Sequence, residues 1–93
     1  MSKRTSVAEQ RREERTPAKG MVSFAPDGTS SLEIQGHLVD ASKNGFRVSH
    51  SHPEISAGQR VRFRHARSQG DAVVMWTRVM ASHVETGFLI VRP

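Results

Sequence analysis

Two groups of side chains in this 93-residue chain are suited to holding a charged ligand. Asp40, Ser42 and Gly45 stand at D-x-S-x-x-G spacing within Asp40-Ala41-Ser42-Lys43-Asn44-Gly45. An ionised carboxylate accepts hydrogen bonds, a hydroxyl both donates and accepts, and a glycine lets backbone and ligand approach closely. Upstream, Arg11, Arg12 and Arg15 lie within Arg11-Arg12-Glu13-Glu14-Arg15, an R-x-x-x-R spacing. A guanidinium fork grips phosphate with two hydrogen bonds and stacks on planar rings. Together these groups suit a ligand that combines phosphate with a planar, hydrogen-bonding ring.

The two groups do not carry equal information. R-x-x-x-R recurs in Arg60-Val61-Arg62-Phe63-Arg64, where alternation reads as the wet face of a strand. Arginines near a terminus are also what a solvated basic tail carries. D-x-S-x-x-G fixes three residue types, and average residue usage puts a chance match in a chain of this length at roughly a few per cent. The same segment is a turn in its own right. Asp and Ser side chains bond nearby backbone N–H groups, Asn44-Gly45 is a favoured turn dipeptide, and Gly45 is expected at positive φ. A rigid turn is also a sound mount for ligand-binding side chains.

The elements that position these groups follow from the rest of the chain. Residues 1–19 hold little that is apolar beyond Met1, Val7, Ala8 and Ala18, so burial cannot offset the entropy of ordering them. A flexible basic arm is expected there. From Gly20 to Pro93 the signals are strands and turns. Strands are expected at Met21–Phe24, Ser31–Val39, from Phe46 to Val48 and beyond, Gln59–His65, Ala72–Met80 and Phe88–Val91. Gly36 suggests a bend or bulge inside the second. Turns are expected at Pro26-Asp27-Gly28-Thr29, at Ser68-Gln69-Gly70-Asp71 and at Glu85-Thr86-Gly87, and a loop at His50–Gly58. Six short strands without a long helix predict an all-β fold, a small six-stranded antiparallel barrel. Trp76, the sole tryptophan, is expected in the barrel core.

Composition narrows the function. The length suits one domain that buries roughly 60–65% of its unfolded surface. The formal charge is +5, with net +3 in residues 1–20, so the arm attracts phosphate. There is no cysteine, no apolar run long enough to span a bilayer and no apolar leader at the N-terminus, which together suit a cytoplasmic protein. No nucleophile elbow, P-loop or HExxH occurs, so no enzyme activity is expected. His50-Ser51-His52 has no third ligand at a familiar spacing and reads as surface or turn histidines rather than a metal pair. A basic RNA- or DNA-binding barrel remains an alternative through the arm and Arg60, Arg62 and Arg64. Single-strand binders stack bases on several exposed aromatics, and this chain has one Trp and four Phe, so nucleic acid is not the expected partner.

The two motifs in this order, ahead of a β-rich sequence, resemble the PilZ domain family, bacterial receptors for cyclic di-GMP. The resemblance extends over nearly all of residues 10–91. Val39-Asp40-Ala41-Ser42, Gly45-Phe46-Arg47-Val48, Gly58-Gln59-Arg60-Val61, Ala72-Val73-Val74-Met75-Trp76 and Thr86-Gly87-Phe88 are similar to the family's successive strand segments. It implies a barrel of PilZ type with little or no C-terminal helix, and a ligand site formed by Arg11, Arg12, Arg15, Asp40, Ser42 and Gly45. Arg11 and Arg15 would contact guanine and phosphate, with Arg12 supplementary, and Asp40 and Ser42 would read the guanine edge. The resemblance implies cyclic di-GMP as the ligand, with no cofactor or metal. The arm would fold over the barrel and signal to an unidentified downstream protein from a monomer or weak dimer. Some family members lack the motifs and act through protein contacts alone, which is the other alternative here. Gln10, just before the first motif arginine, is uncharged and leaves one or two bound ligand molecules equally open.

Overall fold

The computed structural model describes residues 15–26, 33–66 and 68–92. Arg11 and Arg12 lie outside the described residues. Seven strands make up all the regular structure among these residues: β1 Thr16–Pro17, β2 Met21–Pro26, β3 Ile34–Ala41, β4 Gly45–His50, β5 Arg60–His65, β6 Ser68–Val79 and β7 Val84–Val91. All pairings are antiparallel. They run β3-β2-β5-β6-β7-β4, and β4 closes back onto β3, so six strands form the expected barrel. β1 is an addition, and it falls within residues 15–19 of the basic arm. Thr16 pairs with Ala41 and Pro17 with Asp40, and the Ala18 N–H donates to the Val39 carbonyl at 3.2 Å.

Alternation along each strand builds the core. Val22 and Phe24 of β2, Ile34 of β3, Phe46 and Val48 of β4, Val61 and Phe63 of β5, Ala72 and Val74 of β6 and Phe88 of β7 all point inward. Ile55, in the loop after β4, joins them from one end. All four phenylalanines meet there, with ring centroids 4.9 to 5.0 Å apart from Phe24 through Phe88 and Phe46 to Phe63. Each such ring contributes roughly 1.5–3 kcal/mol by leaving water. On β5, Arg60, Arg62 and Arg64 face solvent as the alternation predicts.

The two turns expected at residues 68–71 and 85–87 are strand instead. Ser68 to Asp71 pair with His65 to Arg62, and Glu85 to Gly87 pair with both β4 and β6. Neither glycine turns the chain, and at Gly87 the absent side chain makes room for a ring. Gly70 lies opposite Phe63, whose ring would stand 3.6 Å from an added Cβ, and Gly87 lies opposite Trp76. Gly36 does not form the bulge in β3 either. It lies where a Cβ would meet Val48 and the Ser49 carbonyl, and the register shift comes later, between Leu38 and Asp40.

At the far end of β4, His50 is a buried polar residue with a defined tautomer. Its Nδ1 accepts from the His52 backbone N–H at 3.0 Å, so the proton sits on Nε2, which lies 2.7 Å from the Thr86 hydroxyl. Thr86 in turn lies 3.0 Å from the Thr77 hydroxyl. Among the described residues no buried side-chain nitrogen or oxygen lacks a partner. Protonating Nδ1 would break the bond to His52 and place a charge against Phe24, whose ring meets the imidazole edge-on at 5.5 Å. Burial lowers the His50 pKa below the ordinary histidine value, and the neighbouring His52 acts in the same direction against Glu54. Stability from neutral His50 is therefore complete above the unfolded pKa near 6.5 and is lost as pH falls from there to the lowered folded value. Thermal unfolding between pH 7.5 and 5.5 should show the wild type losing stability faster than His50→Gln, by at most about 1.4 kcal/mol per pH unit. Equal acid sensitivity of the two proteins would refute the assignment.

Candidate functional site

Asp40 reaches the outer surface because β3 carries one extra residue. Leu38 pairs with Val48 on the inner face, and strict alternation would turn Asp40 inward as well. Val39 is inserted between them, so Asp40 pairs with Arg47 on the outside and Ala41 returns to the inner face opposite Phe46. Arg47 alternates outward between Phe46 and Val48. Its Nε donates to both Asp40 oxygens at 3.0 Å, and its Nη2 donates to Oδ2. Arg47 Nη1 lies 4.0 Å from Glu85 Oε1.

Arg15 approaches from the other side. Its Nε is 3.5 Å from Asp40 Oδ1, and its Nη1 donates to Ser42 Oγ at 3.2 Å. The Arg47 hydrogen bonds hold the Asp40 carboxyl below the usual carboxylate range. Burial opposes this, and the charges of Arg47 and Arg15 reinforce it. The same pair raises Arg47 further. Asp40 is thus an ionised acceptor at any neutral or mildly acidic pH.

Ser42 and Gly45 hold the turn beside it. The Ser42 N–H donates to the Gly45 carbonyl at 2.8 Å and its hydroxyl to the same oxygen at 3.4 Å. β7 clamps the turn from outside: the Ile90 N–H donates to the Asn44 carbonyl at 2.8 Å, and Arg92 Nη2 to the Lys43 carbonyl at 2.7 Å. Gly45 is not at positive φ; among the described residues only Gly20 and Gly58 are. It is needed for closeness, because an added Cβ would strike the Phe88 carbonyl oxygen.

A second insertion extends the surface. Val74 pairs with Phe88 on the inner face, Met75 is the extra residue, and Trp76 then pairs with Gly87 on the outer face. Trp76 was expected in the barrel core from the sequence, and the insertion places it outside the core instead. Its ring covers Gly87, where an added Cβ would lie 2.5 Å from the ring, and Arg78 stacks on it at 4.8 Å from the centroid. Asp40, Arg47, Gly87 and Trp76 consequently form one row across β3, β4, β7 and β6.

Of the residues expected to bind ligand, Arg15, Asp40, Ser42 and Gly45 are brought together, while Arg11 and Arg12 lie outside the described residues. Arg47 was missed. Its signal was available: counting back from the Ser42–Gly45 turn, Ala41 faces Phe46 and Asp40 faces Arg47. Behind the turn a cavity of about 190 Å³ is lined in part by Ala41, Ser42, Phe46 and Phe63. Cavities that enclose drug-sized ligands begin at roughly 300 Å³, so this one is too small to enclose one. The Arg60, Arg62 and Arg64 stripe is partly neutralised, by Asp71 at 3.5 and 3.7 Å and by Glu33 at 3.6 Å. Among the described residues no cluster of His, Asp or Glu could hold a metal ion, and no helix is long and apolar enough to cross a membrane.

Sequence and structure comparisons bear on this arrangement. The profile of the PilZ domain family matches residues 9–89. No curated protein matches the chain. Among solved structures, the Bacillus subtilis inhibitor of motility (MotI/DgrA) superposes with a TM-score of 0.72 at 17% identity, over 90% of this chain and 44% of that one. The chain thus spans less than half the length of that protein, and the likeness is one of fold.

The seat of Trp76 on Gly87 can be tested by fluorescence, since the chain has no other tryptophan. Gly87→Ala should lift the ring and shift its emission to the red. Gly45→Ala, whose methyl meets backbone, should instead lower the unfolding midpoint, by about 2 kcal/mol or more in stability. An unmoved emission spectrum in Gly87→Ala would contradict the packing described.

Proposed function

The chain belongs to the PilZ domain family, and on that premise we propose that it is a receptor for cyclic di-GMP. The observation that supports this most directly is the convergence of Asp40, Ser42 and Arg15 on one outward-facing point. Guanine presents N1–H and a C2 amino group as donors on one edge, which suits an ionised carboxylate beside a hydroxyl. On its other edge O6 and N7 are paired acceptors, which suit an arginine fork. Arg11, Arg12 and Arg15 supply three such groups, and they also serve the two phosphates. The row from Asp40 through Arg47 and Gly87 to Trp76 runs along the outer face beside that point.

In this reading Asp40, Ser42 and Gly45 form the fixed half of the site and the basic arm the moving half. Ordering the arm costs roughly 1–2 kcal/mol per residue. A charge-assisted hydrogen bond returns roughly 1.5–3 kcal/mol. Several bonds must form together, and an affinity near the micromolar range follows. With ligand bound, the arm lies across the barrel and presents a changed face to a partner protein.

Calorimetric titration with cyclic di-GMP, GMP and cyclic di-AMP tests the reading. Cyclic di-GMP should bind at least tenfold tighter than either comparison ligand. Asp40→Ala and Arg11→Ala should each weaken it by roughly tenfold or more, the equivalent of one charge-assisted bond. Absence of heat with cyclic di-GMP would end the proposal.

A further inference from the structure

Asp40 is closed in this structure. Its side chain is 10% exposed, and the guanidinium groups of Arg47 and Arg15 lie against its carboxylate. A guanine edge reaches that carboxylate only when one of the two leaves. They are not held alike. Arg47 is the cross-strand partner of Asp40 within the barrel and donates to both carboxylate oxygens. Arg15 precedes β1 and holds Asp40 through Nε at 3.5 Å and Ser42 through Nη1 at 3.2 Å. The two guanidinium groups are about equally exposed, and the difference lies in their grip on Asp40: a fork to both oxygens from Arg47 resists displacement better than the single 3.5 Å contact from Arg15.

The atoms that Arg15 covers are those assigned above to the guanine edge. Guanine's N1–H and C2 amino group are two N–H donors attached to one planar carbon. The Nε and Nη1 groups of Arg15 are likewise two N–H donors on one planar carbon, Cζ. Nε faces Asp40 and Nη1 faces Ser42, so one N–C–N unit spans both acceptors. The geometry points to Arg15 as an internal stand-in for the guanine edge: its guanidinium fills the Asp40–Ser42 acceptor pair in the free chain, and ligand binding exchanges it for guanine while Arg47 stays on Asp40.

This rests on the reading of the site as a cyclic di-GMP receptor and adds that the free site is self-occupied. Exchange leaves the Asp40–Ser42 pair satisfied before and after, so the ligand never confronts a bare carboxylate. It also frees the Arg15 fork for guanine's O6 and N7 or for phosphate. Selectivity follows from the same requirement. Adenine presents an acceptor at N1, where guanine presents a donor, and cannot replace a guanidinium against a carboxylate.

The test uses the full chain labelled with nitrogen-15 arginine and follows the Nε–H groups of Arg15 and Arg47 by NMR during titration with cyclic di-GMP. In the free chain both Nε–H groups should show proximity to the Asp40 Hβ protons. At saturation the Arg15 contact should vanish and its Nε–H resonance should move, while the Arg47 contact stays. Persistence of the Arg15–Asp40 contact in the complex, or loss of the Arg47–Asp40 contact, overturns the exchange and leaves the receptor reading intact. No Arg15–Asp40 contact in the free chain overturns it equally. A wild-type chain that binds no cyclic di-GMP overturns the receptor reading and the exchange together, which the titration itself registers.

Discussion

Side chains along a strand point alternately inward and outward, and one inserted residue reverses every position beyond it. The candidate site depends on two such insertions, Val39 in β3 and Met75 in β6. Uninterrupted alternation from Leu38 would turn Asp40 into the barrel towards the phenylalanine core. An unpaired carboxylate there would cost several kcal/mol or stay protonated. Uninterrupted alternation from Val74 would bury Trp76. With the insertions, both residues stand on one outer face, and Arg47 and Gly87 fill the positions between them. Bulges beside a functional surface are a general device for re-aiming side chains, and this barrel uses it twice, on strands separated by β4 and β7.

On that face, electrostatics decides the rest. Asp40 is ionised although nearly covered, because Arg47 supplies a forked pair and Arg15 a second positive charge. A carboxylate in that state is a prepared acceptor, and the turn that carries Ser42 is braced from β7 through Asn44 and Lys43. The basic arm approaches this point because Thr16 and Pro17 pair with β3 directly alongside it. Fixed acceptors on the barrel and Arg15 of the arm thus meet at one boundary.

Much of this was legible in the sequence. Clean alternation in Arg60–His65 placed Val61 and Phe63 inward and three arginines outward, because a half-buried strand leaves period-two evidence in its own residues. The D-x-S-x-x-G segment was read as a turn, and the turn is there at Ser42 to Asn44, with Asp40 and Gly45 in the strands on either side. Three misreadings concern glycine. Gly70 and Gly87 read as turn glycines, yet each sits in a paired strand beneath an aromatic ring from the neighbouring strand. Gly45 was placed at a turn for its freedom of φ, and it is there because the Phe88 carbonyl leaves no room for a Cβ. For Gly87 and Gly45 the reason for glycine lies on another strand.

By itself the sequence determined what depends on neighbouring residues: the β-rich barrel, the polar and apolar faces of each strand, the turn, and the chemical types available for a phosphate and a planar ring. The tertiary structure decided what depends on pairs. It set the register that seats Arg47 against Asp40, the insertions that bring Asp40 and Trp76 to one face, and the contact of Arg15 with both Asp40 and Ser42. Register is a property of two strands at once, and a one-residue shift changes no residue type while reversing which side chains meet.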